Sequence, residues 1–314
     1  MQKLKQTKRK RIRVKWGSVF VALLLLVIFI VGIFTILQYI EETVKTLNQP
    51  LTKNKDNHSF QGEKRNLETI NVLLLGSDSR GEEQARTDTI MVAHYDTKEH
   101  KIKLISFMRD MLVAVPEHGE QKLNAAYSFG GPELLRETIK MNFGLDIHYY
   151  GIVDFSGFEK AVDLLVPKGI EVDIPYEMSY GIGMTLEEGL QQLHGKELLG
   201  YVRFRHDHLS DFGRIQRQQE VISKLKEEAV GLQTVVKLPE LLDLLNTYID
   251  SNIDSSTLLS IGKDILTKNS DIETMRIPED GNFQNKHHEE LGDVLEVDFV
   301  RSKEGLNNFL ENKQ

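Results

Sequence analysis

The spacing of apolar positions changes along this chain. Residues 17–40 (GSVFVALLLLVIFIVGIFTILQYI) are apolar on every side, 24 positions without a charge. Residues 41–68 are polar, carry Pro50, Asn54 and Gly62, and show no sustained apolar period; such a stretch reads as a stalk. A β-type pattern starts at Thr69. Ile70-Asn71-Val72-Leu73-Leu74-Leu75 runs into Gly76 and predicts a central buried strand. Residues 89–95 and 102–107 predict two more strands, connected through Asp96-Thr97-Lys98-Glu99-His100, and 111–115 a fourth, stopped by Pro116. Gly131-Pro132-Glu133 then opens a helix to about residue 142, with proline at a first helical position. Further helices are predicted over 155–165, 186–193, 196–202 and 211–230, the last with Ile215, Val221, Ile222 and Leu225 on one face. Strands near 147–153, 169–174, 272–277 and 294–300 and helices over 239–248, 255–266 and 303–310 complete the pattern. Strands interleaved with helices imply one layered α/β or α+β domain over residues 69–314.

The uncharged segment sets the compartment. A helix of 24 residues spans about 36 Å, enough for a hydrocarbon core of roughly 30 Å with some tilt. Residues 1–16 carry eight Lys or Arg and no acid, whereas Glu41 and Glu42 follow the segment. Positive-inside bias places the tail in the cytoplasm and everything after residue 40 outside. A cleaved signal peptide would have a shorter apolar core and a small-x-small site, and the exit through Leu37-Gln38-Tyr39-Ile40-Glu41 has none. The expectation is an uncleaved signal anchor over 17–40: a single-pass cell-membrane protein, type II, with its C-terminal domain extracellular.

Composition narrows the chemistry. With no cysteine, disulfides, thiol catalysis and thiolate metal sites are excluded. Outside the tail, 31 basic residues face 47 acidic ones, a net −16; such a domain is not a general nucleic-acid binder. Four polar clusters stand at the ends of predicted elements. Gly76-Ser77-Asp78-Ser79-Arg80-Gly81 follows the first strand, where backbone amides can cradle an oxyanion and Asp78 can bind a cation; a solvated turn is the plainer alternative. Arg86-Thr87-Asp88-Thr89 precedes the second strand, so that Asp78 and Asp88 flank one loop. Arg109-Asp110 follows the third, with Lys122 and Asn124 beyond it. The fourth cluster is Arg203-Phe204-Arg205, then Asp211, placed to cap a helix that carries Arg214, Arg217 and Gln218 on one face. Four arginines within fifteen residues of an acidic domain point to an anion, because a guanidinium fork matches phosphate oxygens and keeps its charge when partly buried. The competing explanation is a salt-bridge lattice on a solvated helix. His206 and His208 do not complete a zinc site, and dinucleotide and ATP loops are absent.

These motifs resemble the LytR-CpsA-Psr family of cell-envelope proteins, in its teichoic-acid-attaching group. The resemblance rests on Val72-Leu73-Leu74-Leu75-Gly76-Ser77-Asp78-Ser79-Arg80, Arg86-Thr87-Asp88-Thr89, Ser106-Phe107-Met108-Arg109-Asp110, Lys122-Leu123-Asn124-Ala125-Ala126-Tyr127, and Arg203-Phe204-Arg205 followed by Asp211-Phe212-Gly213-Arg214-Ile215-Gln216-Arg217-Gln218-Gln219. Met108 stands where the family often has proline. The resemblance implies a central mixed β-sheet whose covering helices enclose an apolar pocket for an isoprenoid. It implies Mg2+-dependent transfer of a glycopolymer, foremost wall teichoic acid, from an undecaprenyl-diphosphate carrier to the C6 hydroxyl of N-acetylmuramic acid in peptidoglycan. On that footing Arg109, Arg203, Arg205 and Arg217 take the diphosphate oxygens, and Asp78 and Asp88 hold Mg2+. Asp88 doubles as the candidate base, and Arg80, Arg86, Lys122, Asn124, Arg214 and Gln218 bind substrate. Two rivals stand beside this expectation: a non-catalytic polyprenyl-phosphate receptor and a membrane-bound transcriptional attenuator.

Overall fold

The computed structural model describes residues 60–63, 68–77, 87–229, 247–254, 257–258, 261–262 and 272–311. The basic tail, the anchor, nearly all of the stalk and most of the helices expected over 239–248 and 255–266 lie outside these residues. So does the 78–86 loop with Asp78, Arg80 and Arg86.

Three expected strands build the centre: β1 (Thr69–Ser77), β2 (Thr87–Asp96) and β3 (Lys101–Phe107). They belong to a six-stranded mixed sheet in the order β10-β3-β2-β1-β6-β9, with β6 at Tyr149–Asp154, β9 at Ile249–Ser251 and β10 at Ile272–Ile277. β1 pairs antiparallel with β2 and parallel with β6. Both faces are covered, which is why β1 reads as a continuous apolar run. Leu73, Leu75, Val92, Ile105 and Phe107 face one core cluster, and Ile70, Val72, Tyr95 and Ile102 face another.

A second sheet, β11-β12-β4-β5, contains β4 (Met111–Val115), β5 (Gly119–Lys122), β11 (Phe283–His288) and β12 (Gly292–Val297). It shares the first core with α1 (Leu123–Phe143) and α5 (Phe299–Leu310). A third core cluster lies among α2 (Phe155–Leu165), α3 (Gly195–Arg203), α4 (Asp211–Ala229) and the hairpin β7 (Ile170–Ile174) to β8 (Gly189–Leu193).

Several expectations need correction. The helix expected to open at Gly131-Pro132 begins earlier, at Leu123. It breaks at Gly130 and Gly131, whose backbone angles are not helical, and Pro132 restarts it. The helix expected over 186–193 is strand β8, paired residue for residue with β7. Leu186, Leu190 and Leu193 mimic a helical stripe, yet Leu190 is exposed and Leu193 buried, so cross-strand pairing decides the conformation. β12 ends at Val297 and α5 starts at Phe299, four residues before the expected 303. β5 and β11 carry mostly polar residues on exposed edges and had no apolar signal.

Candidate active site

The site is built at the end of the central sheet where β1 finishes and β2 starts. Gly76 pairs with Thr89 and Ser77 with Thr87, so Asp88 is an extra residue with no partner opposite it. Such a bulge turns one side chain out of the ladder. The buried Thr87 hydroxyl fixes it, lying 3.0 Å from the Gly76 carbonyl oxygen and 2.8 Å from that of Thr89. A side chain at position 76 would press its Cβ to 3.0 Å from Thr89 Cβ, so any larger residue would force Thr89 to give way. Asp88 therefore projects, its side chain 53% exposed, into a small cavity. The cavity is lined by Gly76, Thr89, Phe155, Gly181, Val202, Arg203, Arg205, Arg214 and Gln218 as well.

Around Asp88 the charged groups form a chain. Arg109, just past β3, donates to Asp88 Oδ1 and lies 3.0 Å from Asp211 and 3.3 Å from Asp110. Arg214 Nη2 donates to the Asp88 carbonyl at 3.0 Å and to Asp211 Oδ2 at 3.1 Å. Asp211 thus sits between two guanidinium groups as the first residue of α4, where its carboxylate serves them instead of the expected cap. Lys122 is 3.1 Å from Asp110, one step back from the cavity. Asn124 gives its backbone N–H to the Arg109 carbonyl at 3.2 Å and so steadies that arginine from behind. Gln218 donates to Thr89 Oγ1 at 3.0 Å.

Arg203 and Arg205 differ from these. α3 ends at Arg203, Phe204 is extended, and both arginines line the cavity. Arg203 stacks over Phe155, 4.3 Å from its ring centroid. Among the described residues neither guanidinium has a carboxylate partner.

Arg217, expected beside them on the diphosphate, is elsewhere. Its side chain is buried, 2.7 Å from the equally buried Asp207, and it donates to the Phe204 carbonyl. Tyr176 completes the knot with a 2.9 Å hydrogen bond to Asp207. A side chain at Gly213 would place its Cβ 2.7 Å from that carboxylate. Arg217 therefore shapes the 203–205 segment from behind, and Arg214 and Gln218, expected to bind substrate, are the α4 residues at the cavity.

The LytR_cpsA_psr family model matches residues 33–301. The chain belongs to the LytR-CpsA-Psr family. Regulatory protein MsrR of Staphylococcus aureus is 40% identical over 255 residues, 81% of this chain and 78% of that one. The polyisoprenyl-teichoic acid--peptidoglycan teichoic acid transferase TagU of Oceanobacillus iheyensis is 32% identical over 296 residues, 90% of each chain. Among solved structures, Bacillus subtilis TagT shares the fold. Its complex with LIIa-WTA gives a TM-score of 0.64 at 23% identity, covering 83% of this chain and 97% of that one. Its complex with octaprenyl pyrophosphate gives 0.57 at 22%, covering 82% and 98%.

In this LytR-CpsA-Psr chain the charge balance of the site opposes that of the domain. Asp88, Asp110 and Asp211 face Arg109, Lys122, Arg203, Arg205 and Arg214, which leaves a net +2. Burial works to raise the Asp88 pKa, but the Arg109 and Arg214 charges outweigh it and hold the carboxyl below its usual range. Burial presses the Arg214 guanidinium below its ordinary value despite Asp211. Asp211, Asp88 and Asp110 raise that of Arg109 against its own desolvation. Asp88 is thus held in its charged form between Arg109 and Arg214.

The apolar pocket expected of the fold is not at this position among the described residues. The cavity beside the arginines has a volume of about 100 Å³, and Phe155 and Val202 are its large apolar members; small-molecule pockets typically run to several hundred Å³. For a metal, no group of three or more acidic or imidazole side chains converges among the described residues. Mg2+ usually takes only one or two carboxylates, with phosphate and water completing its shell. Asp88 suits that role: Arg109 occupies Oδ1, while Oδ2 is 4.0 Å from Arg214 Nη1 and open to a ligand.

Proposed function

We propose that this protein is a membrane-anchored phosphotransferase of the cell envelope. It moves a glycopolymer, wall teichoic acid first, from undecaprenyl diphosphate to the C6 hydroxyl of peptidoglycan N-acetylmuramic acid. The acceptor oxygen attacks the phosphorus that carries the sugar, the bridging P–O bond breaks, and the lipid leaves as its monophosphate. One observation carries this reading: Arg203 and Arg205 line the cavity beside Asp88 and Arg214 without an anionic partner of their own among the described residues. The 32% identity to a transferase named for this reaction, over 90% of both chains, supports it. The anchor over residues 17–40 would hold the domain at the outer membrane surface, where the diphosphate bond itself supplies the driving force.

Arg203 and Arg205 receive the incoming charge, and Arg109 exchanges part of its carboxylate lattice for phosphate oxygens. Donors fixed in this way stabilise the charge that develops in the transition state without reorganisation. Mg2+ held at Asp88 Oδ2 would neutralise diphosphate charge. With its pKa held down, Asp88 is ionised at neutral pH and is a weak proton acceptor until Arg109 turns away. It then takes the acceptor hydroxyl proton on the oxygen that Arg109 leaves.

The test combines the protein with a polyprenyl-diphosphate-linked glycan, peptidoglycan oligomers and Mg2+. The expected products are a linked glycan and polyprenyl monophosphate, and Asp88→Ala keeps lipid binding while losing transfer. Release of monophosphate without a linked product identifies a hydrolase instead. The 40% identity to a protein named as regulatory supports a second, regulatory reading; lipid binding with no turnover would favour it over transfer.

A further inference from the structure

One feature at the rim of the cavity has no role in phosphoryl transfer. Tyr180 is 69% exposed, and its ring meets that of His206 edge to face, with centroids 4.1 Å apart. Each partner adjoins a cavity residue: Gly181 follows Tyr180, and His206 follows Arg205. The loop that presents Tyr180 is firmly anchored. Met178 and Leu186 exchange two backbone hydrogen bonds of 2.9 Å. Met178, Ile182 and Leu186 are buried in the core with α3, and Gly181 and Gly183 take positive φ angles that let the chain double back. Single exposed aromatic rings are ordinary on protein surfaces. This ring is held in water by a built support, beside two guanidinium groups that have no carboxylate partner among the described residues.

We propose that Tyr180, braced by the edge-to-face contact with His206, forms an aromatic platform for the pyranose ring bonded to the diphosphate; this deepens the phosphotransferase reading and rests on it. The C–H face of a pyranose is apolar and slightly positive, and the face of an aromatic ring is negative. The platform is adjacent to the residues that grip the phosphates, so the ring it receives is the first sugar of the donor. Arg203 and Arg205 recognise any polyprenyl diphosphate; Tyr180 distinguishes those that carry a sugar.

Equilibrium binding of the full-length protein in detergent tests this with two probes, octaprenyl diphosphate and octaprenyl diphosphate bearing N-acetylglucosamine. Tyr180→Ala is expected to weaken the sugar-bearing probe about three- to tenfold, the range of one aromatic contact, and to leave the sugar-free probe unchanged. Tyr180→Phe is expected to keep both. Equal loss on the two probes, no loss on the sugar-bearing one, or an effect confined to the peptidoglycan acceptor would overturn the platform. Wild-type protein that binds neither probe would overturn the diphosphate reading beneath it.

Discussion

The two ends of the central sheet handle polar groups in opposite ways. At the far end Asn71, His94, Lys103 and Glu273 lie side by side across β1, β2, β3 and β10, and the first three are buried. His94 Nδ1 is 2.7 Å from Asn71 Oδ1, the Asn71 N–H donates to His148 Nδ1 at 2.9 Å, and Lys103 donates to the Phe309 and Leu310 carbonyls at the end of α5. At the near end the arginines outnumber their partners. Two buried side-chain atoms there, Ser77 Oγ and Arg214 Nε, lack a hydrogen bond among the described residues. A satisfied network locks a core. An unsatisfied set of donors keeps free energy in reserve for a ligand. The far end should therefore respond to mutation in stability and the near end in function.

Arg217 tests whether position alone decides the response, because it lies at the near end and is paired like the far one. Arg217→Ala leaves Asp207 buried and uncompensated, at a cost of about 3–5 kcal/mol. Urea denaturation should show that loss as a lower midpoint at unchanged slope. A stable Arg217→Ala protein that had lost only transfer would instead return Arg217 to the diphosphate.

Arg205→Ala should do the reverse. Arg205 is exposed, makes no hydrogen bond or ion pair among the described residues, and acts on Asp88 only through space, so stability should move by no more than about 0.5 kcal/mol. Removing one donor aimed at transition-state charge typically lowers a rate about 10²- to 10³-fold, and single-turnover transfer would measure it. Equal losses in both variants would erase the contrast between paired and unpaired groups.

The far end makes its own pH prediction. Burial, aided by the Lys103 charge, pushes the His94 pKa down to about 4. Between roughly pH 6.5 and 4 the unfolded chain binds a proton that the folded one refuses. Stability from this group is complete above pH 6.5 and lost as pH falls to about 4, by up to about 3 kcal/mol. His94→Gln should flatten thermal stability across that window. A window that persists in this variant would assign it to another group.

How far these contrasts are legible in the sequence depends on the range of the interactions behind them. β1 to β3 and α2 to α4 follow from apolar spacing within a dozen residues. The bulge at Asp88 does not, since it arises from the register of β1 against β2 and from where the Thr87 hydroxyl points. The spacing of Arg214, Arg217 and Gln218 correctly puts them near one another on α4. Which of them reaches the cavity depends on Asp207 and Tyr176, contributed by another part of the chain. β8 fails for the same reason, because its leucines satisfy a helical period while β7 supplies the pairing. Tyr180 carries no signal of its exposure: a strand-like alternation would put it on the buried face with Met178 and Ile182, and it is the turn at Gly181 and Gly183 that brings it out to solvent.

Asp211 offers the finest test, because it lies inside the near-end lattice and need not touch substrate. Its carboxylate bridges Arg109 and Arg214, fixing two guanidinium groups whose charges would otherwise repel. Asp211→Asn removes a negative charge beside the phosphates, so donor binding should not weaken, while Arg109 loses one of the groups that aim it. The expected result is a kcat about tenfold lower, the equivalent of about 1.4 kcal/mol, with KM unchanged or reduced. Asp211→Glu should recover part of kcat. A merely structural role would lower Tm and the yield of folded enzyme while leaving kcat per folded molecule intact. A raised KM would place the carboxylate in contact with the acceptor instead, making this aspartate, and not Asp88 alone, part of the site that meets peptidoglycan.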